Sequence, residues 1–269
     1  MSKINMVFER LSIKKEKALI PYVCCGDPNL NFTRELVCKF SAEGADIIEL
    51  GIPYSDPIAD GPIIQRAGQR ALSAGARIEE IFEMVAALRP MINTPLVIMT
   101  YYNPIYRYGV GQFVQKAVDS GIDGLIVPDL PMEEFGELKM EAARSGIDLI
   151  LMVAPTSSEQ RIKKIAERSQ GFLYCVADTG VTGSRKSLAA GLNYYISRVR
   201  RLTEMPLAVG FGVSGPETAR SIARFADGVI VGSSIIEKIE SRLDMVEKSP
   251  ELAAKEVAEY VGRLKEAVR

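Results

Sequence analysis

Short runs of apolar residues alternate with amphipathic segments along the whole chain. The runs at 19–25, 46–50, 96–100, 124–127, 149–153, 172–177, 207–210 and 228–231 are rich in Ile, Val and Leu and bounded by Gly, Pro or Asp. That is the pattern of parallel strands buried on both faces. Between them, segments such as 31–42, 78–88, 112–120, 133–145, 159–168 and 218–225 carry apolar residues at helical spacing. Eight strands, each followed by a helix, predict an α/β fold: a closed (β/α)8 TIM barrel forming a single domain over 1–269. A doubly wound open sheet is the alternative, but eight units with no Gly/Ser-rich linker favour closure. Glu43-Gly44-Ala45-Asp46-Ile47-Ile48 echoes Ser120-Gly121-Ile122-Asp123-Gly124-Leu125 and Ser145-Gly146-Ile147-Asp148-Leu149-Ile150. In each, a Gly suited to the left-handed turn that ends a helix precedes an Asp and a strand. Ile4, Val7, Phe8 and Leu11 form an apolar stripe, the mark of an extra N-terminal helix that either plugs the barrel bottom or lies on the surface.

Composition narrows the chemistry. The 269 residues are 47% hydrophobic and 25% charged, with a net charge of −1, as expected of a globular domain with a sizeable core. The charge balance argues against nucleic acid or an anionic membrane as partner. The N-terminus has no signal-peptide pattern, and no stretch approaches the ~18 apolar residues of a spanning helix. Cys24 and Cys25 are adjacent, while Cys38 and Cys175 stand alone. A reduced chain in the cytoplasm is the reading that follows. There is no His, which excludes a Ser-His-Asp triad, a Cys-His pair and imidazole ligation of zinc.

In a barrel enzyme the site lies where strands end and the following loops begin. In Asp46-Ile47-Ile48-Glu49-Leu50-Gly51, alternation puts Ile48 and Leu50 on the face that meets the helices and Ile47, Glu49 and Gly51 in the lumen. A carboxylate buried there raises its pKa, which suits a general acid/base. The loop that follows carries Asp56 and Asp60 between prolines; either fits a second polar anchor, and Asp60 before Gly-Pro also fits plain turn duty. Gly210-Phe211-Gly212 and Gly232-Ser233-Ser234 end the seventh and eighth strands, where barrels commonly hold phosphate on exposed amides. Ser214, Pro216 and Glu217 read as a capping box for the next helix. The run Gly210 to Gly215 also fits a dinucleotide-binding pattern, but Asp227 opens the next strand instead of ending it, against a nicotinamide site.

Asp178 to Ser187 is small, polar and basic and reads as a lid, with Thr182 a phosphate-side donor. Asp27 and Asp129 read as turn residues. No strand end offers converging carboxylates for a metal or a Lys for a Schiff base. Tyr22, Met99, Tyr101, Ile126, Tyr174 and Phe211 fit an apolar slot or ordinary barrel packing. A barrel with a phosphate site, an apolar slot and a carboxylate acid/base suggests a lyase or isomerase acting on a phosphorylated molecule with a hydrophobic part.

The run Ile48-Glu49-Leu50-Gly51-Ile52-Pro53-Tyr54-Ser55-Asp56-Pro57-Ile58-Ala59-Asp60-Gly61-Pro62 resembles the signature of the tryptophan synthase alpha chain family. Pro21-Tyr22, Gly26-Asp27-Pro28, Tyr101-Tyr102-Asn103-Pro104, Val127-Pro128-Asp129-Leu130-Pro131, Gly180-Val181-Thr182-Gly183, Gly210-Phe211-Gly212 and Gly232-Ser233 extend the resemblance in order over nearly the whole chain. It implies a (β/α)8 barrel that cleaves indole-3-glycerol phosphate. Glu49 would be the acid/base and Asp60 would accept the indole N–H. Tyr22, Ile126, Tyr174 and Phe211 would form the indole and glycerol pocket. Thr182, Gly183, Gly212, Gly232 and Ser233 would hold phosphate, with Gly210 beside them for close amide approach. No cofactor or metal is expected in this chain. Pyridoxal phosphate would sit in a partner beta chain, in an α2β2 assembly contacted near Pro53 to Asp56, Asn103 and Pro131. Asp178-Thr179 stands where family members often carry Ser-Arg, a departure that touches the lid. A rival reading, the synthase that forms indole-glycerol phosphate, would need a strand-end Lys that is missing. A scaffold or activator role is weakened by the presence of both Glu49 and Asp60.

Overall fold

A computed structural model describes residues 1–177, 185–210 and 212–269, with side chains omitted for 185–190. Its strands are β1 (Ala18–Cys24), β2 (Ile48–Gly51), β3 (Leu96–Met99), β4 (Gly124–Ile126), β5 (Asp148–Ile150), β6 (Met152–Val153), β7 (Leu173–Val176), β8 (Leu207–Gly210) and β9 (Gly228–Val231). All pairs are parallel, in the order β5-β4-β3-β2-β1-β9-β8-β7-β6. The two ends of that order, β5 and β6, are separated only by Leu151, whose carbonyl accepts from the Tyr174 amide at 3.0 Å. They are two halves of one strand, so the sheet closes on itself. Each strand read from the sequence is present, and the fifth is interrupted at one residue.

Alternation divides the core into two shells, as the parity of β2 requires. Ile47 lies inside with Ala18, Ile20, Val97, Ile126, Ile150, Phe172, Ala208 and Ile230. Ile48 and Leu50 lie outside with the helix faces. The helix Lys3–Lys14 starts at Ser2, whose Oγ accepts from the Asn5 amide at 3.2 Å and donates to Asp148 at 2.5 Å. Its Ile4, Val7, Phe8 and Leu11 join the inner shell, with Phe8 and Phe172 ring centroids 5.7 Å apart. Of the two readings of this stripe, the plug is the one observed.

The recurrent Gly-x-Asp has a shared structural use. Asp46 accepts from the Leu19 amide at 2.9 Å, Asp123 from Leu96 at 3.0 Å, and Asp227, outside the echo, from Leu207 at 2.9 Å. Each aspartate at the base of one strand thus ties the base of a neighbour. Each also meets a cation: Lys265 at 2.6 Å, Arg89 at 2.8 Å and Arg200 respectively. Asp148 departs from this pattern, its carboxylate taking the Ser2 hydroxyl.

The helix Pro62–Ser73, absent from the sequence reading, buries only Ala67, Gly68 and Ala71. Its apolar positions Ile63, Ile64, Ala67, Ala71 and Leu72 do recur at helical spacing, but the ones it buries fully are small. It lies directly after the loop that carries Asp60.

Candidate active site

The strand ends of the barrel open into a small cavity. Glu49 enters it from β2 and Asp60 from the following loop. Tyr22, Met99, Tyr174 and Ile230 come from β1, β3, β7 and β9, and Ile64 comes from the helix Pro62–Ser73. Gly212, Val213, Gly232 and Ser233 close the side beyond β8 and β9. One wall is therefore apolar and aromatic, one carries two carboxyl groups, and one is glycine-rich backbone.

Glu49 is 1% exposed, and its Oε2 has no hydrogen-bond partner among the described residues. Burial, reinforced by the nearby Asp60 charge, pushes its carboxyl up to about 8. The group is thus mostly protonated at neutral pH, able to give a proton and to recover it. Asp60 is also held above the usual carboxylate range by burial, partly offset by the polar Tyr101 hydroxyl nearby. Asp56 is exposed, accepts from Ser55 Oγ at 2.5 Å and does not line the cavity. The path of the loop therefore separates two aspartates that residue type and spacing alone left equivalent.

Both pocket tyrosines rest on strand-end glycines. In the ladder Tyr22 lies opposite Glu49, and its phenol extends over Gly51, where any added Cβ would collide with the hydroxyl and ring. The Tyr174 phenol lies over Gly210 in the same way. Gly51 and Gly210 leave room for those rings. The other end of the Tyr22 ring faces Gly232, so one side chain spans from the carboxyl wall to the glycine wall.

On the glycine wall, Gly212 has φ +74°, a conformation that favours glycine. The helix Ser233–Glu240 begins there, with Gly232 accepting from the Ile235 and Ile236 amides at 2.9 and 3.0 Å. Its first turn presents amide groups and a positive helix end to the cavity, a setting suited to an anion. The capping box expected after β8 does not form. The helix Pro216–Ala223 starts at Gly215 without a side-chain cap, and Ser214 Oγ instead meets Thr218 Oγ1 at 3.0 Å.

Other sequence candidates fall elsewhere. Ile126 is fully buried in the inner shell, and neither it nor Gly210 is among the cavity's lining residues. Thr182, Gly183, Phe211 and the segment 178–184 lie outside the described residues. Asp27 is engaged by Arg70 through two bonds of 2.7 and 2.8 Å, and Asp129 accepts from the Tyr102 amide at 2.9 Å. Both side chains therefore reach other elements, the helix Pro62–Ser73 and the helix Tyr102–Tyr108, instead of closing their own turns as the sequence reading expects. Tyr101 belongs to no slot; its hydroxyl meets the Asp60 loop. Ile64, Val213 and Ile230 were not singled out from sequence. The lumen parity of β9 points to Ile230, whereas nothing in the pattern marks Ile64. Among the described residues no cluster of three Cys, Asp or Glu groups could hold a metal, and no helix is long and apolar enough to cross a membrane.

Comparison with known proteins bears directly on this cavity. The family model for the tryptophan synthase alpha chain matches residues 8–269. The tryptophan synthase alpha chain of Carboxydothermus hydrogenoformans is 51% identical over 241 residues, covering 90% of each chain. That of Thermoanaerobacter sp. strain X514 is 46% identical over 268 residues, covering 100% of both. The crystal structure of tryptophan synthase subunit alpha from Legionella pneumophila superposes with a TM-score of 0.91 at 35% identity, covering 100% of this chain and 98% of that one. Sequence over the full length and barrel architecture agree, and the chain belongs to the tryptophan synthase alpha chain family.

Proposed function

We propose that Glu49 and Asp60 divide the proton chemistry of this chain's reaction, the retro-aldol cleavage of indole-3-glycerol phosphate to indole and D-glyceraldehyde 3-phosphate. The observation that carries this reading is the buried Glu49 carboxyl with one unpartnered oxygen, facing an open cavity beside Asp60. Protonated Glu49 gives its proton to indole C3. Positive charge grows on the ring nitrogen, and the Asp60 carboxylate accepts the N–H and stabilises that charge. The Glu49 carboxylate then takes the proton of the glycerol hydroxyl as the bond to C3 breaks. The bonding pair returns to the ring and neutralises the nitrogen, the hydroxyl carbon becomes the aldehyde, and Glu49 is again protonated. Indole itself is the electron sink, so neither an imine nor an imidazole is required.

The phosphate is assigned to Gly212, Gly232 and Ser233 with Thr182 and Gly183, and the indole and glycerol parts to Tyr22 and Tyr174 together with Phe211 and Ile126. Gly210 contributes by seating Tyr174. The alpha chain works with a beta chain, which holds the pyridoxal phosphate of the family and condenses indole with serine to tryptophan. An α2β2 assembly in the cytoplasm is the arrangement we assign to this chain. The test is indole release from indole-3-glycerol phosphate, assayed with and without a beta chain. Slow release that the beta chain accelerates is expected; no release in either setting would overturn the reading.

A further inference from the structure

Asp60 and the glycine wall face one cavity from two different helices. Asp60 leads into the helix Pro62–Ser73 and is bound to its first turn: Gln65 Nε2 donates to the Asp60 carbonyl at 2.9 Å, and the Gln65 amide to the Gly61 carbonyl at 3.0 Å. Gly232 and Ser233 open the helix Ser233–Glu240. The first helix fully buries only Ala67, Gly68 and Ala71, so few large side chains interlock to fix its position. Ion pairs join it to the second helix. Arg66 and Arg70 stand one turn apart on the same face. Arg66 donates to Glu240 through Nε and Nη2, both at 2.8 Å, and Arg70 Nη1 donates to Glu240 Oε1 at 2.9 Å. Glu240 is the last residue of the second helix. The same Arg70 grips Asp27 after β1 through Nε and Nη2, and the Asp27 side chain is wholly buried. Gly26, beside it, has φ +91° and lies so close to Ala71 and Ala76 that an added Cβ would collide with Ala76. The turn after β1 is therefore seated directly on the end of the first helix.

We propose that Glu240, with Arg66 and Arg70, is a clamp that holds the helix following Asp60 at a set distance from the helix carrying the phosphate amides, so that the cavity is preset to the length of a ligand with an aromatic ring at one end and a phosphate at the other. The proposal rests on the roles given above to Asp60 and the glycine wall. Glu240 lies about 10 Å along its helix from Ser233, so it acts through the placement of that helix and is a positioning residue. Arg66 on Glu240 and Arg70 on Asp27 are two-pronged contacts, which restrict orientation as well as distance. Two arginines meet two carboxylates, so the buried Asp27 is not left with an unpaired charge. A ligand that spans both ends gains from the preset spacing, because it does not have to order the two helices as it binds. A ligand that fills one end gains nothing from it.

Replacing Arg70 would strand the buried Asp27, so the clamp is opened at Glu240, which leaves that pair intact. The experiment is NMR titration of the full chain, wild type and Glu240→Ala, with three ligands: glycerol 3-phosphate, indole, and an analogue that joins indole to phosphate through a three-carbon chain without hydroxyls. In Glu240→Ala the analogue is expected to bind roughly three- to tenfold more weakly, the scale of one or two partly exposed ion pairs. KM for indole-3-glycerol phosphate, measured with the beta chain present, is expected to rise by the same factor. Glycerol 3-phosphate and indole are expected to bind within about twofold of wild type, since neither spans the two ends. Arg66→Gln, which opens only the more exposed half of the clamp, is expected to give a smaller loss of the same selective kind. Unchanged binding of the analogue in Glu240→Ala overturns the proposal. So does an equal loss for all three ligands, the outcome of a merely structural role. Failure of the underlying reading shows separately in wild type: an analogue that binds no more tightly than its two halves spans no two-ended site, and the roles of Asp60 and the glycine wall are then wrong.

Discussion

Glu49→Gln removes a charge-bearing group and preserves its shape, so it separates what the carboxyl does for catalysis from what it costs the fold. In the folded protein the carboxyl titrates near 8, against 4.5 for an ordinary one, because burial disfavours its anion. Between those values the folded state binds a proton that the unfolded state has released, so stability falls as pH rises through this window. The shift corresponds to about 3 kcal/mol lost by pH 7 and about 5 kcal/mol above pH 8, at about 1.4 kcal/mol per unit. Gln at the same site carries no such penalty. Urea unfolding of wild type and Glu49→Gln at pH 4.5, 7 and 8.5 is expected to show similar stabilities at the lowest pH. The variant should gain progressively above it. Its turnover is expected to fall by at least 10²- to 10⁴-fold, the usual contribution of a positioned acid/base. A stability difference that does not change with pH would refute the protonated, buried state of Glu49. Wild-type turnover in the variant would refute its role as acid/base.

Two other outcomes follow from the packing. Gly51→Ala is expected to displace the Tyr22 phenol into the cavity and raise KM by roughly tenfold, about 1.4 kcal/mol of binding; steady-state kinetics check this. In a Tyr22→Leu background the same change should cost less, and an equal cost would show that the ring contact is not the cause. Lys265→Met strands the Asp46 carboxylate at the barrel base, where both side chains are 5% exposed and 2.6 Å apart. A loss of about 3 kcal/mol in urea unfolding is expected, in the range for breaking a buried pair, with kcat unchanged below the transition. The Leu19 amide and Arg10 still bond Asp46, which keeps the cost toward the low end.

Much of this molecule is legible in the chain because local rules decide it. Parallel strands covered on both faces must be apolar throughout, so the eight runs announce a barrel, and the parity of β2 alone puts Glu49 in the lumen. The stripe Ile4, Val7, Phe8 and Leu11 announces a helix but not its place. Only closure of the sheet creates the open barrel base that the stripe fills. The choice between Asp56 and Asp60 is likewise not local. It depends on how the loop folds back toward the end of β3, where the Tyr101 hydroxyl receives the Ala59 amide next to Asp60. The repeated Gly-x-Asp is visible as a pattern, yet its use appears only when adjacent strand bases stand close enough for Asp46 and Asp123 to reach the amides of Leu19 and Leu96. Ser214 shows the converse: the capping residues are there in sequence, and the chain path takes the hydroxyl to Thr218 instead. Periodicity and residue chemistry, which act over a few neighbours, determined the strands and the acid. The tertiary structure decided which polar group meets which, because those partners lie tens of residues apart and meet only once the barrel has closed.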